Sequence, residues 1–307
     1  MPFVRPDVTN LLAMLAAQPG PKLSEISPAE GRAMMSGMTQ LLERPRGDIA
    51  VADLTIPGGI KARLYTPANA SGHVVVYYHG GGWVIGDLDT HDPLCAEIAR
   101  QMGMRVVSID YRLAPEAPFP AATEDCIAAT RWIAGSPAEL GGPINGVIPA
   151  GDSAGGNLAA AVTQELHGEI AISAQWLIYP ATDMTAGEGS MVEFGDGYLL
   201  TKDSMDWFHA HYMTGSENKR LHPWASPLHA ESLEGLPPAM VFTCGLDPLR
   251  DQGRAYAARL IESGVRVVYR EAAGQIHGCF TLRQGIPSAH DDLLGCIADL
   301  KLLLAGA

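Results

Sequence analysis

Two glycine-bounded stretches carry the residue types from which an acyl-transfer site can be assembled. The first is Gly151-Asp152-Ser153-Ala154-Gly155, a G-x-S-x-G pattern between the apolar run "NGVIPA" (145–150) and the alanine-rich "AGGNLAAAVTQELHG" (154–168). A serine on so sharp a strand-to-helix turn projects its hydroxyl from the sheet, while the next N–H and the helix N-terminus point toward developing negative charge. The residues two places away on either side must be small for the chain to turn that tightly. Alone, the pentapeptide also reads as a tight turn with Ser153 as a helix N-cap. The second stretch, His79-Gly80-Gly81-Gly82-Trp83, sets three adjacent glycines directly after a β-branched and aromatic run. So much bare backbone is entropically costly to order. Its use is to bring N–H groups to an oxyanion with no side chain in the way. Two such motifs, at the ends of two strands and in this order, favour catalysis over the turn reading.

A serine nucleophile needs a base and an acid. In the α/β-hydrolase arrangement the chain order is nucleophile, acid, histidine, so His79 is read as a brace of the glycine loop and not as the base. The acid is expected in a loop after a late strand, where "MVFTCGLDPLRDQG" offers Asp247. Asp247-Pro248 is also a good N-cap and first-turn pair; a carboxylate has two oxygens and can serve both ends, and Asp251 stands as the alternative partner. Of the ten histidines only His277 and His290 lie beyond Asp247. His290 opens an amphipathic C-terminal helix, where a surface or capping role suffices. His277 follows the last strand in "GQIHGCF", between Gly274 and Gly278, and is taken as the base.

These residues must be positioned by a sheet. Apolar runs at 48–56, 60–66, 73–79, 104–111, 145–150, 172–180, 238–245 and 265–272 read as strands, most of them buried on both faces. Helical patterns at 121–134, 154–168, 250–264 and 289–306 alternate with the later ones. The rhythm predicts an α/β fold with a mostly parallel sheet of about eight strands, covered by helices on both sides. Two segments fall outside it. Residues 1–45 contain a helix opened by Ser27 as N-cap, Pro28 and Glu30 in a capping box, and stopped by Pro45. Residues at about 183–230 are polar and glycine-rich, with one helix in "TKDSMDWFHAHYM". Both are expected to cover the strand ends. Pro149, in a central strand, predicts a break or bulge in the ladder.

With 34 acidic against 21 basic residues and a net charge of -13, the chain repels polyanions and anionic surfaces, so neither nucleic acid nor membrane is an expected partner. The five cysteines are scattered without a CxxC pair, which argues for free thiols and against a disulfide framework or zinc site. The N-terminus has prolines at 2 and 6 and no basic cluster, so no signal peptide is read there; the expected location is cytoplasmic.

Five motifs in order, "HGGGW" (79–83), "DYRLAPE" (110–116), "GDSAGGN" (151–157), "DPLRD" (247–251) and "IHG" (276–278), resemble the hormone-sensitive-lipase-like bacterial esterases, family IV of the α/β-hydrolases. The likeness runs from about residue 48 to the C-terminus. It implies a catalytic domain over 46–307, cap helices at 1–45 and a second cap insertion at about 183–225. It further implies Ser153 as nucleophile, Asp247 as acid, His277 as base, and the N–H groups of Gly81, Gly82 and Ala154 as oxyanion hole. No metal or cofactor is implied, the substrate is a small ester, and a homodimer is compatible with the resemblance. Trp83 is a candidate for the acyl pocket, although packing under the loop suits it as well. Met38, Phe208 and Tyr212, with Met34, Met35 and Trp207, are candidates for an apolar cap surface or for ordinary helix packing. Arg112 and Glu116 are expected to brace a loop as an ion pair. One departure from the family pattern is Cys279, which stands between the His-Gly pair and Phe280. An amide, a lactone or another acyl substrate would suit the same site. A binding role, as in the related gibberellin receptors that lost the histidine, is opposed by His277.

Overall fold

The computed structural model describes residues 2–306. Eight strands, β1 (Ala50–Ile56), β2 (Ile60–Thr66), β3 (His73–Tyr78), β4 (Arg105–Asp110), β5 (Gly146–Asp152), β6 (Gln175–Ile178), β7 (Ala239–Leu246) and β8 (Val267–Ile276), form one sheet. Their order is β1-β2-β4-β3-β5-β6-β7-β8. β2 runs antiparallel to both β1 and β4, and every other pairing is parallel. The helices are α1 (Pro6–Ala17), α2 (Pro28–Leu42), α3 (Asp92–Met102), α4 (Ala121–Ala134), α5 (Ala154–Leu166), α6 (Ser190–Glu193), α7 (Lys202–Tyr212), α8 (Arg250–Glu262) and α9 (Ser288–Ala305).

Side chains alternate across a strand, and here both faces are buried. Val74, Val76 and Tyr78 of β3 join a core with Leu158 of α5, Cys126 of α4 and Leu260 of α8. Val75 and Tyr77 join the opposite core, with Ile98 of α3 and Leu300 of α9. The near-continuous apolar runs of the sequence follow from this double burial. No helix among the described residues is long and apolar enough to cross a membrane.

The structure adds helices α1, α3 and the one-turn α6 to the periodicity reading and extends its last strand. Pro6 lies in the first turn of α1, and α3 opens with Asp92-Pro93 and ends at Gly103 in the left-handed region, so each carries start or stop signals without a long apolar stripe. β8 continues to Ile276 and so delivers His277 directly from its end. At Pro149 the β3 side of the ladder is unbroken, with Val76 opposite Pro149. On the β6 side Val147 pairs with Ile172 but Ala150 with Trp176, so three steps along β5 face four on its neighbour. The bulge falls where proline has no N–H to give.

The two N-terminal helices have different seats. Val8 and Leu11 of α1 enter the core shared with α9, and Arg5 pairs with Asp292 at 2.6 Å. α2 lies instead over the glycine loop, where Arg32 Nε donates to Val84 O at 2.9 Å and its guanidinium pairs with Glu116 at 2.6 Å. α2 begins with the capping box expected at Ser27 and Glu30. Its far end is clamped to the chain beyond His277 by the buried pair Glu43–Arg283, with Arg283 Nε donating to Glu43 at 2.7 Å. α7 adjoins the N-terminal segment through Ser24, which donates to Asp203 at 2.6 Å.

Candidate active site

β5 ends in Asp152, and the chain reverses into α5 through Ser153, whose φ of 56° and ψ of −116° no β-strand or helix residue adopts. A non-glycine residue holds such a conformation only where its surroundings impose it. A Cβ on Gly155 would lie 1.9 Å from Tyr78 O, so the elbow closes only around glycine. Ser153 Oγ lies 2.8 Å from His277 Nε2, and His277 Nδ1 lies 2.7 Å from Asp247 Oδ2. The second carboxylate oxygen, Oδ1, accepts Leu249 N–H at 2.7 Å. Asp247 is fully buried, and these two donors satisfy what burial would otherwise leave unpaired.

Asp247 serves both ends: its Oδ1 takes Leu249 N–H and its carbonyl accepts Arg250 N–H at 3.0 Å, the bonds a cap makes, although the regular part of α8 begins at Arg250 with Leu249 before it. Asp247 belongs to a turn before the helix. The alternative acid, Asp251, faces elsewhere: its Oδ2 accepts Ser190 N–H at 2.8 Å and its Oδ1 lies 2.8 Å from Arg250 Nε. Behind the base, the Tyr179 ring lies 4.8 Å from that of His277, and Phe280 backs Tyr179 at 5.8 Å. Cys279 turns into the core, its sulfur 3.8 Å from that of Cys244, so the extra residue leaves Phe280 in the aromatic packing.

The glycine loop is fastened from beneath. Asp152 Oδ1 accepts Gly80 N–H and Tyr77 O–H, each at 2.9 Å. Tyr111 stacks on His79 at 4.3 Å and donates its hydroxyl to His79 O at 2.6 Å. Burial first, and then the neighbouring His91, pull the His79 pKa down to about 4, so the brace is a neutral imidazole near pH 7. Gly81 has φ 116°, and a Cβ there would lie 2.1 Å from Ile85 O. The N–H groups of Gly81, Gly82 and Ala154 donate to no acceptor among the described residues. A hydroxyl, a base in hydrogen-bond reach, an oriented imidazole and free backbone donors are the parts that acyl transfer uses.

Residues 75–281 match a family model described as the alpha/beta hydrolase fold. The chain belongs to the α/β-hydrolases, in the hormone-sensitive-lipase-like group. This hydrolase is 45% identical over 264 residues to carboxylic ester hydrolase LipN of Mycobacterium tuberculosis, covering 82% of this chain and 70% of that protein. It is 35% identical over 249 residues to an ethyl acetate hydrolase of Pseudomonas putida, covering 79% of this chain and 78% of that one. Among solved structures, a thermostable esterase of Pseudomonas putida superposes with a TM-score of 0.92 at 34% identity, covering 99% of this chain and 98% of the other.

Of the pocket residues expected in this hydrolase, Phe208 lies with its ring against the glycine loop. A Cβ on Gly82 would fall 2.2 Å from its ring. Trp83 and Tyr212 are 2% and 0% exposed and stack face to face at 4.4 Å, so both are core packing. Met38 is half-buried and packs toward the α3–α9 core. Arg112 and Glu116 do not pair with each other: Arg112 holds Asp125 at 2.8 Å, while Glu116 holds Arg32. The periodicity reading also missed His91, which sits at the N-cap of α3 within 3.2 Å of Asp152. A histidine one residue ahead of an Asp-Pro helix start was the only signal available for it.

Proposed function

We propose that the protein is a serine carboxylesterase that hydrolyses short to medium acyl esters through an acyl-enzyme. The observation that carries this reading is the unbroken run of hydrogen bonds Ser153–His277–Asp247, at 2.8 and 2.7 Å. The ester hydrolase names of the relatives support it.

In the first step His277 Nε2 takes the proton of Ser153 as Oγ attacks the ester carbonyl. Asp247 fixes Nδ1–H toward itself, so Nε2 presents its lone pair, and it stabilises the imidazolium that forms. The tetrahedral oxyanion is received by the N–H groups of Gly81, Gly82 and Ala154, each such donor contributing about 3 kcal/mol of transition-state stabilisation. His277 then protonates the departing alcohol. A water activated by the same imidazole attacks the acyl-serine, the ester bond to Oγ breaks, and the carboxylic acid leaves. α2 and the 183–225 segment serve as the cap that shapes the acyl and alcohol pockets.

The test is hydrolysis of p-nitrophenyl esters of increasing acyl length by wild type and Ser153→Ala. Activity that falls with length and drops by about 10⁴-fold or more in the variant is the expected result. A folded wild type no faster than Ser153→Ala on every ester would sink the reading.

A further inference from the structure

Asp152, the residue immediately before Ser153, is 4% exposed yet takes part in neither proton transfer nor the acid's role. Its carboxylate gathers donors from three separate elements: Tyr77 at the end of β3, Gly80 at the start of the glycine loop, and His91 at the head of α3. The approach to Gly80 is so close that a Cβ there would lie 2.4 Å from Oδ2. Burial raises the cost of a charge at this position, and His91 and Tyr77 more than offset it, holding the carboxyl below its ordinary range.

His91 is itself fully buried. Its Nε2 lies 3.2 Å from Asp152 Oδ1 and 3.3 Å from Gly80 N; because the Gly80 N–H already goes to Asp152 Oδ1 at the shorter 2.9 Å, the tautomer that fits the carboxylate has Nε2–H as donor. On the other side Nδ1 lies 3.0 Å from Thr90 Oγ1, and Thr90 is fixed in turn by a reciprocal pair with Asp87. The imidazole is thus held from both ends.

We infer that the Asp152–His91 pair is a positioning device for the oxyanion hole, linking the serine elbow and the glycine loop so that donors on two separate chain segments converge on one oxygen. This rests on the reading of Ser153 as nucleophile and of Gly81, Gly82 and Ala154 as oxyanion donors. Asp152 is covalently next to Ser153 and two residues from Ala154, and its side chain holds the N–H of Gly80, next to Gly81. One carboxylate therefore sets the separation of the two halves of the hole. His91 and Asp152 touch no substrate and act only through the loop. A displacement of about 1 Å in such donors costs on the order of 10²-fold in rate.

The experiment compares wild type, His91→Ala, His91→Gln and Tyr77→Phe on one p-nitrophenyl ester. It measures kcat/KM, inhibition by a trifluoromethyl ketone that forms the tetrahedral adduct, inhibition by an alcohol that only occupies the site, and Tm. For His91→Ala, kcat/KM and ketone affinity are expected to fall together by about 10- to 100-fold with alcohol inhibition unchanged. His91→Gln, which keeps a donor toward Asp152, restores most of the loss. Tyr77→Phe, which removes one of three bonds and leaves the pair intact, loses about threefold. Ketone affinity that stays at the wild-type value in the folded variants overturns the inference, as does a Gln variant no better than Ala. If His91→Ala does not fold, His91→Gln and Tyr77→Phe decide: ketone affinity that falls in step with kcat/KM supports the device, and losses confined to Tm overturn it. An inactive wild type would instead be a failure of the esterase reading, which Ser153→Ala registers separately.

Discussion

The strand-end loops and the helices lying over them are held by different forces. At the strand ends, Asp247, His277, Asp152 and His79 are buried and meet donors or acceptors at 2.7–2.9 Å through the backbone or through one another. Over them, α7 is seated by the buried apolar side chains of Met205, Phe208 and Tyr212 and α2 by Leu42, and their polar links, such as Arg32–Glu116 and Ser24–Asp203, are part-exposed. A surface ion pair such as Arg32–Glu116 contributes about 0–1 kcal/mol, whereas an unpaired buried polar group costs several times more. The strand-end loops are therefore held by buried polar bonds, and the cover by apolar packing with a few part-exposed polar links. Among the polar links the exception is the Glu43–Arg283 clamp, a buried pair that ties the cover to the segment following His277.

The contrast is sharpest at Asp247. Replacing it with Asn keeps the shape of the turn but lets the amide donate where an acceptor is required, which favours the wrong tautomer of His277. The expected loss is about 10⁴-fold in kcat, with Tm nearly unchanged; a loss below tenfold would move the acid's role to another residue. The clamp should behave in the opposite way. Glu43→Ala leaves Arg283 buried without its partner and is expected to cost about 3–5 kcal/mol in urea unfolding. An unchanged midpoint would mean that the cover is held by its apolar packing without the clamp.

Between these lies a pH effect centred on the brace. Burial lowers the pKa of His79 to about 4, below the ordinary histidine value near 6.5, so protonation favours the unfolded chain. The stability gained from keeping it neutral is complete above about pH 6.5 and is lost as the pH falls toward 4, by about 3 kcal/mol in all. His209, lowered to about 4 chiefly by burial, adds in the same direction. Unfolding free energies at pH 7, 6 and 5 should decline in that order, and a flat profile would contradict the buried neutral histidines. The smallest effect belongs to the exposed cover: Arg32→Ala should change stability by less than about 1 kcal/mol, with 0.5 M salt removing most of the difference. A larger, salt-insensitive loss would show that Arg32 acts through its bonds to Val84 and Ala114 O.

Where a feature depends on local backbone constraint, the sequence determined it. The strand and helix rhythm, the Ser27–Glu30 capping box, the Gly151–Gly155 elbow and the triple glycine were legible because a few consecutive residues decide each one. Even the bulge at Pro149 was legible, since a missing N–H is a property of that residue alone. What only the tertiary structure decided are the meetings of distant side chains. Ser153 and His277 are 124 residues apart and Asp247 and His277 are 30 apart; their contact depends on the register of β5, β7 and β8. The same holds for the choice of Asp247 over Asp251, for the burial of Trp83 and Tyr212 against each other, and for Arg112 and Glu116 taking separate partners. It holds most of all for His91, whose place ahead of an Asp-Pro helix start says nothing of its partner, and which the crossover from β3 through α3 to β4 carries to within 3.2 Å of Asp152. Packing across a sheet sets such distances, and no short stretch of chain contains that information.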